Sequence, residues 1–273
     1  MSDRYIPPIV KTYTYPKQHD QHMITVKEKF HPVLDENYPF REKTFLFYFK
    51  RFWLNVLLNT MVIPSAKIRY AIKVEGKKNL RKYRKDFKNG YVTVCNHITH
   101  WDFLMILCAM YPRKCYFPIW ENNMRDALSG IYKTIGGIPV PTESTRGGMK
   151  FMKAMNSVLE DHKWLHVYPE GSMWFFFPGV RNFKEGAFVF AYKNNVPVIP
   201  LAITYRPPKG IYKLFKKEPC TTVHIGEPIM PDKNLSRKEA VAKLASNAHL
   251  AVVHMMGIKD EKENEEILKE YIK

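Results

Sequence analysis

Cysteine is scarce in this sequence, internal repeats and low-complexity tracts are missing, and acidic residues are heavily outnumbered. The four cysteines, Cys95, Cys108, Cys115 and Cys220, form no CxxC pair and no metal-finger spacing. That excludes a disulfide framework and suits thiols in a reducing compartment. No apolar h-region stands in the polar, proline-interrupted N-terminus MSDRYIPPIVKTYTYPKQHDQ, so no signal peptide is read there. The chain is therefore expected at the cytoplasmic face. Metal-ligand patterns are wanting too. His162 and His166 are followed by no third ligand, and His97 and His100 lack the glutamate of a zincin motif.

What is abundant is positive charge. Lys and Arg number 43 against 26 Asp and Glu, a formal +17 over 273 residues, which predicts attraction to polyanions. Residues 67–88 concentrate it, with ten basic and two acidic residues. Few aromatics interleave with them and no nucleic-acid reading motif is present, so nucleic acid is not the expected partner. Anionic lipid or a phosphorylated small molecule fits better.

Residues 1–43 read as an irregular arm. The segment FLFYFKRFWLNVLLNTMVIP, 45–64, is the most apolar of the chain, with Arg51, Asn55 and Asn59 recurring every fourth position as one narrow helical stripe. Lys50 and Arg51 interrupt it, and the remaining apolar stretch is too short to cross a bilayer, which takes roughly 20 residues. It is expected to lie in the membrane surface, with aromatics at acyl depth and the basic pair among headgroups. These expectations divide the chain into residues 1–66, an arm and membrane-associating helix, and residues 67–273, a single domain.

From about residue 70, short apolar runs alternate with helical stretches. Runs at 91–96, 114–120, 164–169, 196–203 and 221–226 read as strands, the first four buried on both faces. WDFLMILCAM and GGMKFMKAMNSVLEDH read as helices, the latter with a stripe of Met149, Met152, Met155 and Leu159 expected in the core. SRKE at 236–239 is a capping box opening a helix to about His254. The alternation argues for an α/β fold, a single domain with a mixed or mostly parallel central sheet flanked by helices.

Two blocks carry chemistry. NHITHWD, 96–102, follows a strand and opens a helix, the strand-end position where α/β sheets place ligands. Its spacing lets Asp102 fold back onto one imidazole nitrogen of His97 and leave the other as a proton acceptor. YPEGS, 168–172, also follows a strand and puts Glu170 and Gly171 on the same edge. GGIPV at 136–140 and VPVIPLAI at 196–203 are weaker signals in the same order. WFFFP, 174–178, is expected to line an acyl-chain channel, to dip into the membrane or to pack as a crossover loop. Cys95 is expected in the core.

Taken together, these blocks resemble the glycerolipid acyltransferase family, which includes the 1-acyl-sn-glycerol-3-phosphate (lysophosphatidic acid) acyltransferases. NHITHWD is similar to its NHxxxxD block, GGIPVP to its glycine-led block, YPEGS to its third and VPVIPLA to its fourth, and RNFKEGAF at 181–188 to the stretch after the third. The resemblance implies direct O-acyl transfer in phospholipid biosynthesis. His97 would be general base and Asp102 its orienter, with acyl-CoA or acyl carrier protein as co-substrate and no resident cofactor or metal. The acceptor would be a lysophospholipid, with Glu170, Gly171 and Ser172 shaping its site. The partners implied are membrane lipids, the enzyme being peripheral or monotopic at the cytoplasmic face. One departure bears on the acceptor. The third block usually reads EGTR, and here Met173 stands where a cation is expected, so Arg181 and Lys184 are the candidates to supply it. The alternatives are acylation of a different lipid acceptor, or a basic membrane-binding protein with a degenerate site.

Overall fold

The computed structural model describes residues 4–26 and 29–272. Its strands are β1 (Lys73–Glu75), β2 (Tyr91–Cys95), β3 (Cys115–Trp120), β4 (Gly137–Val140), β5 (Trp164–Val167), β6 (Val198–Arg206) and β7 (Cys220–Ile225). The helices are α1 (Phe45–Leu57), α2 (Ile63–Arg69), α3 (Lys77–Lys82), α4 (Asp102–Met110), α5 (Ser129–Ile135), α6 (Thr145–Glu160), α7 (Gly186–Asn194), α8 (Tyr212–Phe215), α9 (Arg237–Met255) and α10 (Glu261–Tyr271).

The strands form one seven-stranded sheet in the order β1-β7-β6-β2-β5-β3-β4. β6, β2, β5, β3 and β4 are parallel; β7 runs antiparallel to β6 and carries β1 parallel to itself. All five residues of β2 are buried, as a central strand covered on both faces requires. Tyr91 and Cys95 face a core shared with α2 and α4, while Val92 and Val94 face one shared with α6, α7 and α9. After β2 the chain crosses through α4 to β3, and after β5 through α7 to β6, on the opposite face of the sheet. β2 and β5 are neighbours, so their carboxyl ends flank the point where the winding reverses. A crevice opens there in doubly wound sheets.

Helix α1 continues through a π-turn, Leu58–Val62, into α2, and departs from expectation at Arg51. Arg51 does not reach outward to headgroups. It is buried, its Nη2 donates to the Cys115 carbonyl at 2.7 Å, and its guanidinium lies 3.9 Å over the Tyr116 ring. Asn55 is buried beside it, so the polar stripe faces the protein. Phe45, Leu46, Phe49, Phe52, Trp53, Leu57 and Met61 face out, Phe45 at 85% exposure. Periodicity locates a stripe but not which side of it meets the core. Among the described residues no helix is long and apolar enough to cross a membrane.

Other expectations hold in part. Met155 and Leu159 of α6 are buried, but Met149 and Met152 are exposed, because only the C-terminal half of that face meets β5 and α7. The 164–169 run is a strand as expected, and His166 sits inside it as part of β5, fully buried. Of the readings of the WFFFP run, the packed crossover loop is the one observed. Trp174 and Phe177 are buried against Tyr15 and Val10 of the N-terminal arm, and Phe175 stacks on Tyr13. The arm is no free appendage. Leu34 and Phe40 join the core of α6 and α7, and Ile63 and Ala66 join the core of α4, so the chain before residue 67 packs into the same hydrophobic interior as the rest.

Candidate active site

The parallel register pairs Val94 with Val167, and extending it by three residues sets His97 level with Glu170. Asn96 fixes where β2 ends. Its side chain accepts from the Ile203 N–H at 2.8 Å and donates to the Ile203 carbonyl at 3.1 Å, extending the bonding to β6 while the main chain turns away. His97 then starts a loop that Asp102, first residue of α4, gathers around one oxygen. Asp102 Oδ2 lies 2.6 Å from His97 Nδ1 and accepts from the N–H groups of Ile98 (3.1 Å) and Thr99 (3.4 Å). The carboxylate is sealed, at 2% exposure, while the imidazole keeps 22%. Nδ1 is committed to Asp102, which leaves Nε2 as the nitrogen that can accept a proton. The ring is also held from one side, lying face to face with Tyr168 at 4.0 Å between centroids and 10° between planes.

Glu170 is buried and reaches back to this loop. Its Oε2 accepts from the His97 N–H at 3.2 Å and from Arg181 Nη2 at 2.6 Å, while Oε1 accepts from the Arg181 N–H at 3.1 Å. Arg181 is fully enclosed. Its Nη1 and Nη2 also donate to the Ser172 carbonyl, Ser172 Oγ and the His19 carbonyl, its Nε is buried without a partner among the described residues, and its guanidinium lies 4.2 Å over the Trp174 ring. This corrects the expectation that Arg181 supplies a cation to an acceptor phosphate. An arginine with its charge neutralised by Glu170 and no exposed face has nothing to offer a ligand. Ser172 is likewise buried, its hydroxyl donating to the His19 carbonyl at 2.8 Å, so it ties the loop rather than lining a site.

Lys184 stands differently. Its side chain is exposed, and a Cβ placed on Gly171 would come within 3.0 Å of Lys184 Nζ. Gly171 has φ +80°, a turn that ordinary side chains rarely adopt. Lys184 is thus the cation beside the third block, with Asp20 at 3.9 Å as a loose, exposed partner.

Two features of the site carry no sequence signal. The loop of the third block zips onto the histidine loop, the N–H groups of Trp174 and Phe176 donating to the carbonyls of His97 (3.1 Å) and Ile98 (3.0 Å). The arm also crosses the site. The His19 carbonyl accepts from Ser172 and Arg181, the Gln21 carbonyl accepts from Trp174 Nε1 at 2.9 Å, and His22 stacks on Trp120 at 4.2 Å. Burial, with the charges of His97, Arg181 and Lys184 nearby, pushes the His22 pKa down to about 4. Backbone carbonyls look alike in any sequence, so this strap was invisible there. Cys95 is buried, and burial raises its thiol well above the ordinary cysteine range, as befits core.

An imidazole oriented by a buried carboxylate, with its far nitrogen open at a winding reversal, is an arrangement able to take a proton from a bound hydroxyl, as in one class of α/β enzyme. Comparison with known proteins narrows the class. Residues 71–204, which hold both loops, match the Acyltransferase family. The 1-acyl-sn-glycerol-3-phosphate acyltransferase of Saccharomyces cerevisiae is 26% identical over 173 residues, covering 61% of this chain and 54% of the yeast protein. The chain thus spans about half the length of that curated relative. The crystal structure of the 1-acyl-sn-glycerophosphate (LPA) acyltransferase PlsC from Thermotoga maritima aligns with a TM-score of 0.49 and 19% identity, over 73% of this chain and 79% of that one.

Proposed function

We propose that the protein transfers a fatty acyl group from a thioester, acyl-CoA or acyl carrier protein, to the free hydroxyl of a lysophospholipid, 1-acyl-sn-glycerol-3-phosphate before others. The observation that carries this reading is the 2.6 Å contact of His97 Nδ1 with Asp102, which leaves Nε2 open to a hydroxyl. In the step proposed, Nε2 takes the hydroxyl proton as the oxygen attacks the thioester carbonyl, and the thiolate leaves with a proton returned from the imidazolium. Asp102 stabilises the imidazolium, and the face of Tyr168 lies against it. Glu170, Ser172 and Arg181 act as positioning residues that hold the His97 main chain. Lys184, above Gly171, would meet the acceptor phosphate.

On this reading the enzyme sits peripherally on the cytoplasmic face of a membrane, α1 lying in the surface with its outward aromatics among acyl chains. No metal or cofactor is required by a step in which imidazole moves the only proton. The test is release of free thiol from an acyl donor offered lysophosphatidic acid, glycerol phosphate and a phosphate-free monoacylglycerol in turn. Lysophosphatidic acid is expected to be used fastest. His97→Ala should abolish transfer in a protein that still folds; retained transfer would sink the mechanism, and preference for the phosphate-free acceptor would sink the substrate.

A further inference from the structure

The antiparallel turn between β6 and β7 departs from the same sheet edge as the His97 loop, since β6 is parallel to β2. It carries PPKGIYKLFKKEP, 207–219, with Lys209, Lys213, Lys216 and Lys217 against the single acidic residue Glu218. The stem is firmly built. Arg206 Nη2 donates to the Ala71 carbonyl at 2.7 Å and to the Thr221 carbonyl at 3.1 Å, and its Nε to Thr222 Oγ1 at 2.7 Å. The tip presents apolar side chains to solvent, with Ile211 68%, Leu214 79% and Phe215 78% exposed. A short helix that points its apolar residues outward has no core reason to do so.

Behind these prongs a cleft of about 320 Å³ is lined by Lys213, Lys216 and Lys217, with Pro208 and, from the arm, Tyr5 and Ile9. The Lys216 ammonium is enclosed and has no hydrogen-bond partner among the described residues; the Tyr70 ring lies 5.7 Å away. Burial holds its pKa below the ordinary lysine value, opposed by the charge of Glu218. An enclosed ammonium without an acceptor is costly, and an incoming anion would relieve it. Three lysines around one cleft give a site for a multivalent oxyanion.

We propose that this cleft binds the phosphate headgroup of an anionic bilayer lipid while Ile211, Leu214 and Phe215 enter the leaflet beside it. The choice of a lipid rests on two observations. Lysines alternate with exposed apolar residues on the same turn, which fits an anionic interface and no free small anion. The patch also adjoins the C-terminal end of α2. Ile68 of α2 is exposed, and Tyr70, just past its end, carries both the Lys216 contact and a carbonyl that accepts from Thr221. The turn would be a second contact that sets the tilt of the catalytic edge against the membrane. The inference rests on the peripheral-membrane reading above.

The experiment is flotation of the full chain with phosphatidylcholine vesicles, with and without phosphatidylglycerol. Wild type is expected to partition at least tenfold better onto the anionic vesicles than K213Q/K216Q/K217Q, while the two proteins bind neutral vesicles alike and melt alike. L214S/F215S should weaken binding to both vesicle types. If the triple lysine variant floats as well as wild type, the site is overturned and the α1 reading stands. If wild type floats with neither vesicle, both readings fall. Calorimetric titration with inorganic phosphate closes the remaining route. Saturable, lysine-dependent phosphate uptake with unchanged flotation would give the cleft to a free anion and overturn the lipid assignment.

Discussion

Arg181 and Glu170 form an ion pair at 2.6 Å with side-chain exposures of 1% and 3%, and the same carboxylate oxygen receives the N–H of His97. The pair therefore couples the charge balance of the interior to the position of the general base. Replacing Arg181 by Met leaves a carboxylate buried without its partner, a loss of about 3–5 kcal/mol in comparable pairs. Thermal unfolding should show a large fall in Tm. Removing both charges in E170Q/R181M should recover much of the stability and little of the activity, since the His97 N–H then loses its charged acceptor and the bond from Trp174 to the His97 carbonyl holds the main chain from one side only. A double variant with full activity would contradict that coupling.

Asp102→Asn tests the orienter. The amide cannot neutralise an imidazolium, even with its oxygen placed to accept from His97 Nδ1 and from the N–H groups of Ile98 and Thr99 as Oδ2 does. Thioester turnover should fall by about 10²- to 10⁴-fold, the range that general base catalysis supplies, with acceptor KM changed far less.

Lys184→Ala separates acceptor recognition from chemistry. The lysine is exposed, so its ion pair with a phosphate is worth only the modest energy of a solvated contact. KM for lysophosphatidic acid should rise by roughly two- to fivefold, with kcat and the KM of a phosphate-free acceptor unchanged. An equal effect on both acceptors would remove Lys184 from the phosphate.

The pH dependence of stability should carry a signature of His166. This ring is fully buried, Trp164 Nε1 donates to Thr93 Oγ1 at 2.7 Å, and the Thr93 hydroxyl is left to donate to His166 Nδ1 at 2.7 Å. Burial lowers its pKa from 6.5 to about 3. The unfolded chain therefore takes up a proton below pH 6.5 that the folded chain refuses, so the stability is intact above that pH and is lost as pH falls toward 3. The slope is about 1.4 kcal/mol per pH unit for one such group. Denaturant titrations between pH 6.5 and 4 should show His166→Gln with a shallower acid loss than wild type.

Helix α1 gives opposite outcomes on its two faces. Arg51→Ala removes a buried charged hydrogen bond, worth about 1.5–3 kcal/mol, and should lower Tm. F49S/W53S should leave Tm nearly unchanged while reducing vesicle binding. The reverse pattern would mean that the outward face is core in solution.

How much of this could be read beforehand follows from what side chains report. The strands around the site were legible because β2, β5 and β6 are buried on both faces and read as unbroken apolar runs. β1 was not, since Lys73–Glu75 is a charged edge of three residues, nor was α10, whose residues are mostly solvated. His97 and Asp102 were legible because the pair is local. The destination of Arg181 was not: its partners include main-chain carbonyls at Ser172 and His19, which no residue type announces. The polar stripe and the outward aromatics of α1 were found correctly, but the inward destination of Arg51 was not, because a helix records its asymmetry and not its neighbours.

The strand order has a consequence for anyone who would cut this chain at the limits of its family match. Among the described residues β1 pairs with β7 alone, and β7 covers the edge of β6, the most enclosed long strand. A fragment ending at residue 204 keeps β1 without its neighbour and bares an apolar strand whose unpaired N–H and C=O groups would recruit other copies. Such a fragment should accumulate as aggregate, even though it holds every residue of the histidine and glutamate loops.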